Sequence, residues 1–262
     1  MIGAIAGDVI GSVHECGMTK STDFPLFDTL SCFTDDTVLT VATAHAILSG
    51  TSYETAYRDF GRRYPNAGYG GLFREWLLLA EPRPYNSWGN GSAMRVAPVG
   101  WAFDSIDEVL REAERSAAAT HNHPEGIKGA QATALAVFLG WSGASKEEIR
   151  DDVAERFGYD LHRHIDGIRS TYQWSVSCQG SVPEAIVAFL DSKDVEDAIR
   201  LAISLGGDAD TLAAIAGGIA HAFYRHVPDS IVAEVRERLP AEFLQVVDEF
   251  ESRFSVRDVR SG

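Results

Sequence analysis

The segment SLGGDADTLAAIAGGIAHAFY, from Ser204 to Tyr224, places a pair of glycines and two aspartates ahead of a long apolar run dominated by alanine and glycine. Such a run lacks the polar alternation of a half-buried strand and suits a helix that other helices approach closely. Each glycine inside such a helix costs roughly 1 kcal/mol relative to alanine. A helix of this kind belongs inside a core, which makes the two carboxylates at its mouth, Asp208 and Asp210, conspicuous.

The rest of the chain is punctuated for helices. Thr51 with Glu54, Ser145 with Glu148 and Ser181 with Glu184 each fit a capping box, in which cap and third-position side chains satisfy each other's backbone donors. Behind Ser145, Ile149, Val153 and Phe157 form one stripe, and Gly158 is positioned to stop the helix. Between Ile127 and Phe138 apolar residues again recur at helical spacing. Strand-like patterning is scarcely visible. The chain is therefore expected to be all-α, a compact multi-helix bundle with residues 1–262 forming a single domain, since that length sits near the upper size of one core. Ala80–Gly91 is expected as a loop, and the tail after Phe250 is expected to fray.

Hydrophobic residues at 45 % and charged residues at 23 % give the balance of a soluble globular protein. A formal net charge of −15 argues against an extended nucleic-acid surface but permits a small anion in a local pocket. Cys16, Cys32 and Cys178 are odd in number and scattered, which favours a reducing compartment. Asp8 interrupts the opening apolar stretch, so the start does not read as a signal peptide, and no apolar run reaches the roughly 20 residues of a membrane span. A cytoplasmic monomer away from membranes is the expectation.

A second acidic cluster precedes an apolar helix in CFTDDTVLTVATAHAIL, where Thr34, Asp35, Asp36 and Thr37 stand together. Read singly, each cluster is a set of N-caps, because Asp and Thr accept from orphan backbone N–H groups. Together they supply more carboxylates than caps require, and adjacent carboxylates repel unless solvated or neutralised by a cation. An all-oxygen donor set suits Mg²⁺, Mn²⁺ or Ca²⁺, and four aspartates are enough for two ions sharing a bridging carboxylate. Two further segments have the same style. Glu15 closes GAIAGDVIGSVHE, either as a solvated helix end or as a general base or gate at the metals. Asn90, Gly91, Ser92, Met94 and Arg95 in WGNGSAMRVAPVG form a glycine-containing turn suited to a diphosphate. His121 and His123 lack a third soft ligand for zinc, so hydrogen bonding or capping is the simpler role, and Tyr172, Trp174 and Cys178 are expected to fill the core, with the lining of an aromatic pocket as the alternative.

These segments in this order resemble the ADP-ribosylglycohydrolase family, with matches in GAIAGDVIGSVHE, FTDDT, GNGSAMRV, THNHPEGIKGAQA and SLGGDADT. The resemblance implies an all-α fold with a binuclear Mg²⁺ or Mn²⁺ site at the base of a cleft. It assigns Thr34, Asp35 and Asp36 to one side of that site and Asp208, Asp210 and Thr211 to the other. It further implies catalytic roles for Glu15, Asp35 and Asp36, and substrate contacts from Asn90, Gly91, Ser92, Met94, Arg95 and His121. The implied reaction releases ADP-ribose from a modified protein or a small-molecule conjugate by cleavage at the anomeric carbon of the distal ribose. Glu15 favours serine-linked, O-acetyl or polymeric substrates over arginine-linked ones. The alternatives are an ADP-ribose sensor with little turnover and a haloacid dehalogenase-like phosphatase. The latter class places its acidic loop after a parallel strand, whereas Asp208 follows the helix-like AIRLAISLGG.

Overall fold

A computed structural model of the chain describes residues 1–15, 17 and 19–254; Cys16, Met18 and the tail from Ser255 onward lie outside the described residues. The described residues form fifteen helices. The first six are α1 (Ile2–Gly11), α2 (Asp35–Ser49), α3 (Tyr53–Arg63), α4 (Gly71–Leu78), α5 (Gly91–Met94) and α6 (Ala97–Ala102). Then come α7 (Ile106–Ala118), α8 (Pro124–Ser142), α9 (Lys146–Phe157), α10 (Ile165–Arg169) and α11 (Cys178–Asp191). The series closes with α12 (Val195–Ile203), α13 (Ala209–Tyr224), α14 (Asp229–Arg238) and α15 (Ala241–Phe254). The only β pairing among the described residues is an isolated bridge between Gly89 and Ser177, so the all-α expectation holds. None of the described helices is long and apolar enough to cross a membrane.

The alanine-rich α13 is the central element, packed against α1, α8, α11 and α12, and α1 is buried along its whole length. Their contact is backbone against backbone. A Cβ added at Gly7 would stand 2.0 Å from the Ala213 carbonyl oxygen, one at Gly3 2.5 Å from that of Gly217, and one at Gly11 2.5 Å from Asp210 Cα. Gly3, Gly7 and Gly11 recur every fourth residue and so share one helix face. Their missing side chains are what let the two axes approach this closely.

The local punctuation holds in some places and shifts in others. Ser145 and Glu148 form the reciprocal capping box, and Gly158 ends α9 in the left-handed conformation with φ 66°. His123 caps α8 by accepting from the Glu125 amide. The α3 cap is Ser52, one residue after Thr51, and it accepts from the Thr55 amide. Ser181 is no cap: α11 begins a turn earlier, behind Ser177. The Ser181 hydroxyl is occupied by Asn90 Nδ2 and the Ser175 carbonyl, tertiary partners that local pattern does not reveal. Ala80–Gly91 contains no helix before Gly91, as expected. Phe250 is buried and pairs its ring with Phe254 at 4.7 Å, and α15 runs to Phe254; the rest of the tail expected to fray lies outside the described residues.

The glycine face yields a contrast. Gly7→Ala is expected to destabilise the protein by about 3 kcal/mol through overpacking. Gly167→Ala, where an added Cβ meets nothing within 4 Å, is expected to be neutral or stabilising by up to about 1 kcal/mol. Urea denaturation of both variants measures this, and equal stability of the two would refute the close-contact account.

Candidate functional site

Two helix N-termini meet at the site. In α2, Thr34 is the cap and Asp35, Asp36 and Thr37 fill the first turn; in α13, Asp208 is the cap, followed by Ala209, Asp210 and Thr211. The chain reaches Asp208 through Gly206 and Gly207, both at positive φ (71° and 77°), a turn that side-chain-bearing residues adopt only with strain. The two ends are joined by the Thr211 hydroxyl, which donates to Asp36 Oδ2 at 3.3 Å. Carboxylate oxygens of Asp8, Asp36 and Asp210 lie within 4.8 Å of one another, as do those of Glu15, Asp208 and Asp210.

Asp8 is the functional residue that sequence reasoning missed. Its Oδ2 accepts from the Thr34 amide (2.9 Å), the Thr37 amide (3.1 Å) and the Thr37 hydroxyl, while Oδ1 accepts from the Thr34 hydroxyl (2.7 Å). A carboxylate on α1 thus satisfies two of the orphan amides that begin α2 and fixes where Asp35 and Asp36 stand. The available signal was a lone charge in an apolar helix, read above only as an interruption.

The electrostatics of the cluster are one-sided. None of the described ion pairs involves Asp8, Glu15, Asp35, Asp36, Asp208 or Asp210. Burial first, and then Asp8 and Asp208, push the Asp35 carboxyl up to about 8. Burial and mutual repulsion hold Asp36 and Asp210 well above the usual carboxylate range, and Glu15 is raised by burial and by Asp208 and Asp8. Buried Asp36 Oδ1 has no hydrogen-bond partner. An orphaned carboxylate oxygen among uncompensated acids fits a divalent cation, and the all-oxygen donor set is that of a hard ion.

The cluster floors a cavity of about 370 Å³ that Glu15, Asp35, Asp36, Asp208, Asp210 and Thr211 all line. Of the residues expected to contact substrate, Asn90, Gly91, Met94, Arg95 and His121 also line it. Asn90 in addition donates from Nδ2 to Asp208 Oδ2 at 2.7 Å, so it orients a carboxylate of the floor. Arg95 is wholly buried, stacks over Tyr57 at 4.1 Å and has no carboxylate partner. Ser92 is not among the residues that line the cavity, and its buried hydroxyl donates to the Gly126 carbonyl at 2.7 Å. Thr34 is likewise not among the lining residues; its hydroxyl is held by Asp8 and by the Asp36 amide, 3.5 Å from Asp36 Oδ2. Cys178 is core as expected, but Trp174 is half exposed and lines the cavity rather than the core. The Gly68–Phe73 wall and Val176 were not foreseen, because they converge only through tertiary packing.

The description ADP-ribosylglycohydrolase belongs to the family model that matches residues 1–259. The chain belongs to the ADP-ribosylglycohydrolase family. Among curated relatives, ADP-ribosylhydrolase ARH3 of Mus musculus is 28 % identical over 313 residues, covering 88 % of this chain and 84 % of that one. The Homo sapiens protein of the same name is 29 % identical, covering 88 % and 86 %. ADP-ribosylarginine hydrolase Tri1 of Pseudomonas putida is 27 % identical, covering 86 % of this chain and 69 % of that one. A solved structure described as an ADP-ribosylglycohydrolase-related protein complex superposes with a TM-score of 0.69 at 24 % identity, covering 97 % and 96 %, and shares the fold.

Carboxyls with raised pKa values bind more protons in the folded family member than in its unfolded chain. Their contribution to stability is therefore present below about pH 4 and lost as pH rises through about 8. The melting temperature of chelator-treated protein is expected to fall across that range, and a divalent cation is expected to raise it more at the alkaline end. Scanning fluorimetry with and without chelator checks this; a cation effect that is absent or larger in acid would refute the site.

Proposed function

We propose that the protein is a metal-dependent hydrolase that releases ADP-ribose from a modified acceptor by cleaving the bond at the anomeric carbon of the distal ribose. The observation that carries this reading is the convergence of Glu15 and the two aspartate pairs on the floor of one cavity, with Arg95 and His121 on its wall. Membership of the ADP-ribosylglycohydrolase family and likeness to proteins named ADP-ribosylhydrolase support it.

Asp35, Asp36, Asp208, Asp210 and Thr211, with Thr34 beside Asp36, would hold two Mg²⁺ or Mn²⁺ ions. Bound there, the ions would polarise ribose oxygens and supply a water of lowered pKa. The chain's own groups do the rest. The carboxylates favour the positive charge that develops on an oxocarbenium-like ribose. Arg95 and His121 hold the anionic diphosphate away from the acidic floor. Glu15, on the floor beside Asp208 and Asp210, delivers a proton to the departing acceptor atom, and its carboxylate then takes up the proton that water gives up as its oxygen adds at the anomeric carbon. Half-exposed Leu72, Trp174 and Val176 form the mouth through which the acceptor enters.

An alcohol-type acceptor, such as serine or the ribose of a polymer, leaves as an alkoxide and needs that proton, whereas an O-acetyl group leaves as a stable carboxylate and an arginine-linked one already departs from a charged guanidinium. Glu15 therefore supports serine-linked or polymeric substrates over arginine-linked ones.

The test is release of free ADP-ribose from a panel of these conjugates with Mg²⁺, with Mn²⁺ and with chelator. Release that needs metal and prefers the serine-linked or polymeric members is expected, and ADP-ribose binding without release from any member would favour a sensor. Asp35→Asn and Asp210→Asn are expected to abolish release with unchanged helical circular dichroism. Glu15→Gln is expected to lower turnover by about 10²–10⁴-fold while keeping the cation-induced rise in melting temperature. Full turnover in either aspartate variant would overturn the ligand assignment.

A further inference from the structure

Arg95 and His121 meet at one hydroxyl. Arg95 Nη2 donates to Thr120 Oγ1 at 2.9 Å and to the Ser116 carbonyl at 3.1 Å, and Thr120 Oγ1 lies 2.7 Å from His121 Nδ1. Arg95 and Thr120 are 0 % exposed and His121 is 5 % exposed, so the contacts among the three are sheltered from bulk solvent.

The direction of the Thr120–His121 bond follows from what each group is able to donate. A guanidinium only donates, so one Thr120 lone pair is committed to Arg95. The hydroxyl proton then needs an acceptor, because a buried donor left unsatisfied costs about 1–3 kcal/mol. Two candidates face it. The Tyr85 hydroxyl keeps its own proton, since burial pushes its pKa up to about 12, and a phenol oxygen is a weak acceptor. His121 Nδ1 is the better acceptor, an sp² lone pair at short range. Burial, with the Arg95 charge beside it, holds the imidazole neutral. A neutral ring that accepts at Nδ1 carries its proton on Nε2.

Nothing among the described residues hydrogen-bonds Nε2. The wall beside it is glycine: a Cβ at Gly91 would stand 3.2 Å from Nε2 and one at Gly89 3.6 Å from it. Both glycines line the cavity, and their lack of side chains keeps that nitrogen open to it.

We propose that Thr120 is a positioning residue: bonded to Arg95, it fixes His121 as the neutral Nε2–H tautomer, so that the imidazole offers a donor to a ligand phosphoryl oxygen at the Gly89–Gly91 wall. The ligand half of this statement rests on the reading of the cavity as an ADP-ribose site; the tautomer half stands on the network alone. Among the described residues that line this wall, Arg95 then supplies the only formal positive charge, and His121 adds direction without charge. Selectivity for an oxygen that accepts, over a group that donates, is the consequence.

Long-range proton–nitrogen NMR of protein carrying ¹⁵N-histidine tests it, with the His121 signals picked out of the eight histidines by His121→Gln. The ligand-free wild type is expected to show a protonated-type Nε2 and an unprotonated-type Nδ1; a protonated Nδ1 would overturn the proposal. Thr120→Val is expected to shift the ring away from the pure Nε2–H form and to weaken ADP-ribose binding about tenfold by calorimetry. Thr120→Ser restores the hydroxyl and is expected to retain both. A Val variant with unchanged tautomer, or a Ser variant that behaves like Val, would show that Thr120 acts only through packing. Should the wild type carry the Nε2–H signature yet fail to bind ADP-ribose, the cavity reading falls and the tautomer assignment stands.

Discussion

The structure depends on the backbone contact between α1 and α13. Gly3, Gly7 and Gly11 remove every side chain that would hold the two helices apart, and the reciprocal contact at Gly217 reaches the Gly3 carbonyl. At that separation the Asp8 carboxylate, one residue past Gly7, comes within reach of the first turn of α2. Three helices are thereby locked at one point. The register of the acidic floor follows from it, because Asp35 and Asp36 are placed by the Asp8 clamp and Asp210 by the Gly11 contact.

That floor is electrostatically expensive. Six carboxylates converge with no basic residue paired to any of them among the described contacts, and burial removes the water that would screen them. Two features of the fold reduce the cost. Both aspartate pairs sit at helix N-termini, where the macrodipole and unpaired amides favour negative charge. Threonine hydroxyls and Asn90 donate to individual carboxylate oxygens and leave others, such as Asp36 Oδ1, without a partner. A cation bound there would supply the remaining compensation, so metal binding and a destabilised metal-free state would be two aspects of the same charge imbalance.

The opposite wall follows the reverse logic. One guanidinium is buried without a carboxylate, stacked on Tyr57, whose hydroxyl is in turn held by Ser116 at 2.6 Å and Thr43 at 3.1 Å. Immobilising Arg95 in this way removes the side-chain entropy that a flexible cation would lose on meeting an anion. An acidic floor and a fixed basic wall facing one cavity suit a ligand whose reacting end is a polyol and whose middle is anionic.

The sequence by itself determined the elements and much of the chemistry. Helical periodicity, the Ser145–Glu148 box and the Gly158 stop are local, so they survive into the structure. The two acidic clusters were legible as a candidate cation site because they contain more carboxylates than capping requires, and the structure brings their carboxylates together. What the sequence left open depends on contacts between residues distant along the chain. Asp8 is one charge in an apolar helix until α2 is folded against it. Ser92 looks like its neighbours in the GNGSAMR turn until helix geometry points its hydroxyl at Gly126. Ser181 satisfies a capping pattern that tertiary hydrogen bonds override. Local preference fixes which backbone shape a segment adopts, whereas only packing decides which atoms of that segment face a cavity, a partner or the core.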